Sequence, residues 1–125
     1  MRNNISSGGP FEDVYGYSRA VRVGDSVWVS GTCARGVALQ GDAYAQTADA
    51  IAILGDALTQ AGASLGDVVR TVAYVTSIED MPLVARAHAE AFGAIRPAAT
   101  IVEVAKLADP KYLVELQVDA YVEAE

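Results

Sequence analysis

Residues 114–123 alternate without a break. Val114, Leu116, Val118, Ala120 and Val122 fall on one side of an extended chain, and Glu115, Gln117, Asp119, Tyr121 and Glu123 on the other. Successive side chains of a strand point to opposite faces. The segment therefore requires a sheet with one face on a core and the other towards water or polar surroundings. The polar face is either solvated or lines a wet interior made with other copies of the chain. The rest of the chain must cover the apolar face.

Two stretches are suited to that. Ala43 to Gly62 reads as a helix with Asp42 as N-cap. Its apolar stripe is Tyr44, Thr47, Ala48, Ile51, Leu54, Leu58 and Ala61, with Gly62 as the stop. Pro82 to Phe92 reads as a second helix with Pro82 near its first turn and Gly93 ending it. Its apolar side is Leu83, Val84, Ala87 and Ala91.

Tyr17–Val23 and Ser26–Ala34 flank Gly24-Asp25 and predict a β-hairpin. Val68–Ser77 predicts a further strand, with Val69, Ala73 and Val75 on one face and Arg70, Tyr74 and Thr76 on the other. Thr100–Leu107 and Leu113–Glu123 complete the set. Residues 1–16, with Gly8, Gly9, Pro10 and Gly16, read as an irregular arm. The expectation is one α+β domain over residues 1–125, ordered ββαβαββ, with both helices on one face of a single sheet.

Composition narrows the chemistry. Sixteen acidic against nine basic residues give a net charge of −7, which disfavours nucleic acid as a partner. One cysteine, Cys33, excludes an intramolecular disulfide or a multi-cysteine zinc site, and one histidine, His88, disfavours a His-rich metal centre or a hydrolase triad. No metal site is expected. No signal peptide or spanning segment is visible, so no membrane association and a cytoplasmic setting are expected. Fifty-two per cent apolar residues and a mean hydropathy of +0.23 are high for so small a domain. They point to surface buried against another subunit.

Four segments carry a family resemblance: YGYSRAVRVGDSVWVSGT (15–32), AGASLGDVVRTVAYVTSIED (61–80), HAEAFGAIRPAATIVEVAKL (88–107) and VELQVDAYV (114–122). Together the chain resembles the Rid (formerly YjgF) family of reactive-intermediate imine and enamine deaminases, from about residue 6 to 123. The resemblance implies a chorismate-mutase-like α+β subunit with a mixed sheet. It also implies a homotrimer around a central barrel, active sites in clefts between subunits, and no metal or bound cofactor. It places a pocket tyrosine at Tyr17, a backbone glycine at Gly31 after Ser30, and a glutamate that handles water and proton at Glu115. The family's P-A-R-[ST] motif reads Pro97-Ala98-Ala99-Thr100 here, so Ala99 stands where an arginine pairs with the substrate carboxylate. A methyl group cannot provide that bidentate clamp. The chain thus resembles the subgroups lacking this arginine.

Glu115 and Tyr17 are the catalytic candidates; Gly31, Ser30, Arg86, Arg19, Ala99, Ile101 and Cys33 are the substrate-binding ones. Arg86 aligns with a pocket asparagine of imine-deaminating members. Arg19 shares a strand face with Tyr17, and Arg96 precedes Pro97. Each is a substitute cation or an ordinary salt-bridging residue. Cys33 is a nucleophile candidate or a small buried hydrophobe. His88 reads as a structural or interface hydrogen-bonding residue, with catalysis as the alternative; Tyr74 reads as a core or interface residue, with a place in the cleft as the alternative; Trp28 reads as packing. The leading function is hydrolysis of a small imine or enamine metabolite, or a related cyclisation, dehydration or tautomerisation. Its rivals are a non-catalytic trimer that binds a small molecule or acts as a chaperone-like partner, and an endoribonuclease.

Overall fold

The computed structural model describes residues 1–123; the last two residues of the expected domain lie outside it. The alternating strand is central. The elements run β1 (Arg2–Ile5), α1 (Pro10–Tyr15), β2 (Ala20–Val23), β3 (Ser26–Thr32), α2 (Ala43–Gln60), β4 (Val68–Val75), α3 (Met81–Phe92), β5 (Ala98–Glu103) and β6 (Val114–Tyr121). The six strands form one sheet in the order β1-β2-β3-β6-β4-β5. Only β4 and β5 pair in parallel; α3 makes the crossover that a parallel pair needs. The sheet is mixed, as expected.

On β6, Val114, Leu116, Val118 and Ala120 are buried, while Glu115, Gln117 and Asp119 between them are half-buried. The apolar face packs on Ile51, Leu54 and Leu58 of α2 and on Val84 and Phe92 of α3, joined by Val27 and Val29 of β3 and Ala73 and Val75 of β4. Both long helices therefore cover one face. Helix α2 starts at Asp42, whose side chain accepts from the Ala45 amide at 3.0 Å. It ends where Gly62 turns left-handed at φ 80°. The Gly62 amide then reaches the Thr59 carbonyl and the Ala63 amide the Leu58 carbonyl, the paired bonds of a Schellman end.

The structure corrects several boundaries. Tyr44 and Ala48 lie off the buried stripe, and Ala43, Gln46, Ala50 and Ala57 are inside instead. Val69 is 52% exposed because β4 carries a bulge there: Val68 opposes Ala120 but Arg70 opposes Asp119. The extra residue swings Val69 off the core face. Helix α3 does end at Gly93, as expected, but that glycine keeps a right-handed conformation, φ −60°, and the left-handed residue that redirects the chain is Arg96 at φ 58°. Trp28 does not pack in the core; it is 48% exposed on the outer sheet face. Among the described residues, no helix is long and apolar enough to cross a membrane.

The largest correction is the arm. Residues 2–5 are a strand paired with β2, and residues 10–15 are a short helix, so the order is βαββαβαββ. Pro10 starts α1 without losing a needed donor, and Gly16 ends it at φ 82°. Glu12, 94% removed from solvent by the chain around it, fastens the turn. Its carboxylate accepts from the Ser7 amide at 3.1 Å, the Ser7 hydroxyl at 2.7 Å and the Gly9 amide at 3.0 Å. Desolvation works against the charge, but the hydrogen bonds outweigh it and bring the Glu12 pKa down to about 2.

A carboxylate depressed in the folded state stabilises above its ordinary pKa and stops doing so as pH falls through the depressed one. Acidification from pH 4.5 towards 2 should therefore release α1. The Cα chemical shifts of residues 10–15 should move to coil values across that window, and in E12Q they should sit there already. Titration of Glu12 at an ordinary carboxylate pH would contradict this account.

Candidate active site

A second bulge shapes the site. On β3, Val29 opposes Val118 but Thr32 opposes Leu116, so two residues of β3 stand where β6 has one. Ser30 and Gly31 lie in the displaced stretch, and Gly31 comes directly against Glu115. A Cβ at position 31 would stand 2.5 Å from Glu115 Oε2, so any side chain there would push the carboxyl from its present place. The Ser30 hydroxyl donates to the Ser18 carbonyl at 2.6 Å and its amide to the Arg19 carbonyl at 2.9 Å, which ties the bulge to the segment before β2.

That segment carries Tyr17 and Arg19. The expected strand began at Tyr17; the observed one begins at Ala20, with Arg19 anchored through its amide to the Ile5 carbonyl. Arg19 is 4% exposed. Its Nη1 donates to the Gly31 carbonyl at 2.7 Å and to Thr32 Oγ1 at 3.0 Å, and its Nη2 to the Tyr17 hydroxyl at 2.8 Å. Its buried Nε has no partner among the described residues. Arg19 thus braces the wall from behind, and the bond from Arg19 occupies the Tyr17 oxygen as acceptor and leaves the Tyr17 proton free to be donated elsewhere.

These groups floor a cleft of about 790 Å³. Glu115 is half-buried, and burial pushes its carboxyl above the ordinary carboxylate range, while the charge of Arg19 pulls the other way. Cys33 lines the same cleft. Burial first, and then the nearby Glu115 charge, push its thiol up to about 12 against the opposing pull of Arg19. It is a neutral thiol at physiological pH, which argues against a nucleophile.

The remaining candidates are elsewhere in the chain. Ala99 and Ile101 lie on β5 opposite Thr71 and Ala73 of β4, away from the cleft lining. Arg86, on the exposed side of α3, has its guanidinium 3.9 Å from the Tyr44 ring centroid, and the Tyr44 hydroxyl bonds to Glu90. Arg96 is exposed in the turn after α3. His88 Nε2 lies 2.8 Å from Thr71 Oγ1 and joins α3 to β4; its burial lowers its pKa. The Tyr74 hydroxyl donates to Gln117 Oε1 at 2.9 Å on the outer face. Among the described residues, no three His, Cys, Asp or Glu side chains stand together as metal ligands would.

The sequence reading missed the roof. Phe11, Val14 and Tyr15 of α1 line the cleft, as do Arg35, Leu39 and Tyr112. Pro10, Glu12 and Gly16 spell a start, a cap and a stop, but one and a half turns are too short for a periodic signal.

The architecture is that of the YjgF-type α+β domains. The crystal structure of Rv2704 from Mycobacterium tuberculosis, a member of the YjgF/YER057c/UK114 family, matches with a TM-score of 0.92 and 51% identity, covering 98% of this chain and 100% of that one. An uncharacterized protein of Streptomyces coelicolor is 38% identical over 120 residues, 94% of this chain and 90% of its own length. A RutC family protein of Pyrococcus abyssi is 36% identical over 112 residues, 86% of this chain and 87% of its own. The family model of Endoribonuclease L-PSP matches residues 11–122, and the chain belongs to that family, the YjgF/Rid family.

With its thiol held near 12, Cys33 should resist alkylation. Iodoacetamide at pH 8 should label it far more slowly than free cysteine in native protein and at the free rate in urea. Rapid labelling of the folded chain, read by mass spectrometry, would restore the nucleophile.

Proposed function

We propose that the protein hydrolyses a small imine or enamine to a carbonyl compound and ammonia, in a cleft completed by a neighbouring copy within a homotrimer. The observation that carries the reading is the Glu115 carboxyl, desolvated and seated against the Gly31 backbone beside Tyr17. A carboxyl with a raised pKa is a stronger base than an ordinary carboxylate and can return the proton it takes.

In the reaction, the Glu115 carboxylate takes a proton from water as the water oxygen bonds to the carbon of the protonated imine, and the carbon–nitrogen π pair moves to nitrogen. The nitrogen is then a neutral amine on a tetrahedral carbon. Glu115 returns its proton to that nitrogen, the carbon–nitrogen bond breaks to release ammonia, and the hydroxyl becomes the carbonyl as its proton passes to the Glu115 carboxylate and on to ammonia. Tyr17, its oxygen already accepting from Arg19, donates towards the oxygen or nitrogen of the intermediate.

The trimer reading is supported by surfaces one copy leaves uncovered. On β5, Ala98, Ala99, Thr100, Val102 and Glu103 are exposed, and Tyr121 stands 51% exposed on the outer face with Trp28. In such a trimer the family resemblance places Ala99, Ile101 and Arg86 of a neighbour at the cleft. The rival reading, a non-catalytic binding protein, draws on Ala99. The endoribonuclease reading draws on the name of the family model and is opposed by the net charge of −7.

Purified protein should accelerate ammonia release from imines generated in situ by an amino-acid or amine oxidase. E115Q should lower kcat by about 100-fold or more. The parent rate should fall in acid through a pKa above 4.5, because only the ionised carboxyl is a base, and that limb should vanish in E115Q. Equal rates for parent and E115Q would overturn the reading; ligand binding without turnover in both would leave the binding protein. For the assembly, light scattering should give three times the 13.0 kDa chain mass.

A further inference from the structure

We propose that the cleft selects imines and enamines that carry an apolar or aromatic group and no carboxylate. The inference rests on the imine-hydrolase reading above and names its substrate class. Charge is the first ground. Three charged side chains line the cleft: Arg19, Arg35 and Glu115. Arg19 is enclosed, with both terminal nitrogens spent on Gly31, Thr32 and Tyr17. Arg35 is at the rim, where its Nη2 donates to the Ser7 hydroxyl at 2.8 Å. That hydroxyl in turn donates to the Glu12 carboxylate at 2.7 Å. A carboxylate entering the cleft finds no open guanidinium on the floor and meets the like charge of Glu115. A protonated imine meets the opposite charge.

The walls are the second ground. The rings of Phe11, Tyr15, Tyr17 and Tyr112 line the space, with Tyr15 edge-on to Tyr17 at 6.0 Å between centroids. Aromatic faces favour apolar groups and cations over anions. Size is the third. The space that one chain provides, about 790 Å³, lies in the range of roughly 300–1,000 Å³ that holds a ring-bearing ligand. The positions a neighbouring copy would add, Ala99 and Ile101, are also apolar. Its Arg86 is stacked on Tyr44, whose hydroxyl bonds to Glu90.

A matched pair that differs only in the carboxylate tests the proposal. The imine of phenethylamine is made with an amine oxidase and the imine of phenylalanine with an amino-acid oxidase, each with catalase, and hydrolysis is followed by competition with semicarbazide. The carboxylate-free imine should have a kcat/KM higher by at least about tenfold, the scale set by one unfavourable charge contact. Equal rates, or preference for the amino-acid imine, would overturn the proposal. If that preference disappeared in R86A, the missing cation would belong to a neighbouring α3. If neither imine is hydrolysed, the hydrolase reading fails, and calorimetry then decides the ligand class on its own. Binding of phenethylammonium that is lost in E115Q, with none of 3-phenylpropionate, supports it. Tighter binding of 3-phenylpropionate, or binding of neither, overturns it.

Discussion

The register of β6 governs the rest of the molecule. Four side chains, Val114, Leu116, Val118 and Ala120, are at most 3% exposed beneath α2 and α3. Burying a Val or Leu side chain is worth about 1.5–3 kcal/mol, and a slip of one residue would turn the whole set outward at once. The strand is therefore locked, and the residues between the buried ones are fixed with it. Glu115 faces Gly31 because Leu116 and Val114 face the core. The candidate carboxyl is positioned by hydrophobic burial and desolvated by the same packing.

Much of the frame was legible from residue pattern. Period-two alternation marked β6, the Gly24-Asp25 turn marked the β2–β3 hairpin, and Asp42 and Gly62 marked the two ends of α2. Legibility failed where an element is too short to show a period, as in β1 with four residues and α1 with six. It also failed where a bulge breaks the period, as at Val69, whose β-branched side chain belongs to the alternation but not to the buried face. Neither bulge has a local sequence signal, since each is a statement about two strands and the sequence shows one at a time.

The site was legible in a different way. Tyr17, Gly31 and Glu115 followed from a family resemblance, and the structure brings all three to one cleft. The role of Arg19 was not legible. Sequence places it on the face shared with Tyr17, but only the fold shows that its two terminal nitrogens are engaged by Gly31, Thr32 and Tyr17. Arg86, Ala99 and Ile101 were grouped with the others by the resemblance, yet one chain holds them apart. The distinction between an open cation and a braced one depends on burial and partners, which no spacing rule encodes.

The close approach of Gly31 to Glu115 bears on how relatives of this chain should be sorted. A carboxyl at the position of Glu115 is compatible with any outward site on a polar strand face and says little alone. The neighbouring position is far more restrictive, because any side chain there would occupy the space the carboxyl now fills. A relative that keeps the glutamate but carries a larger residue opposite it must hold its carboxyl elsewhere, whatever its overall similarity. Position 31, which has no side chain to do chemistry, is then the better marker of which relatives share this cleft.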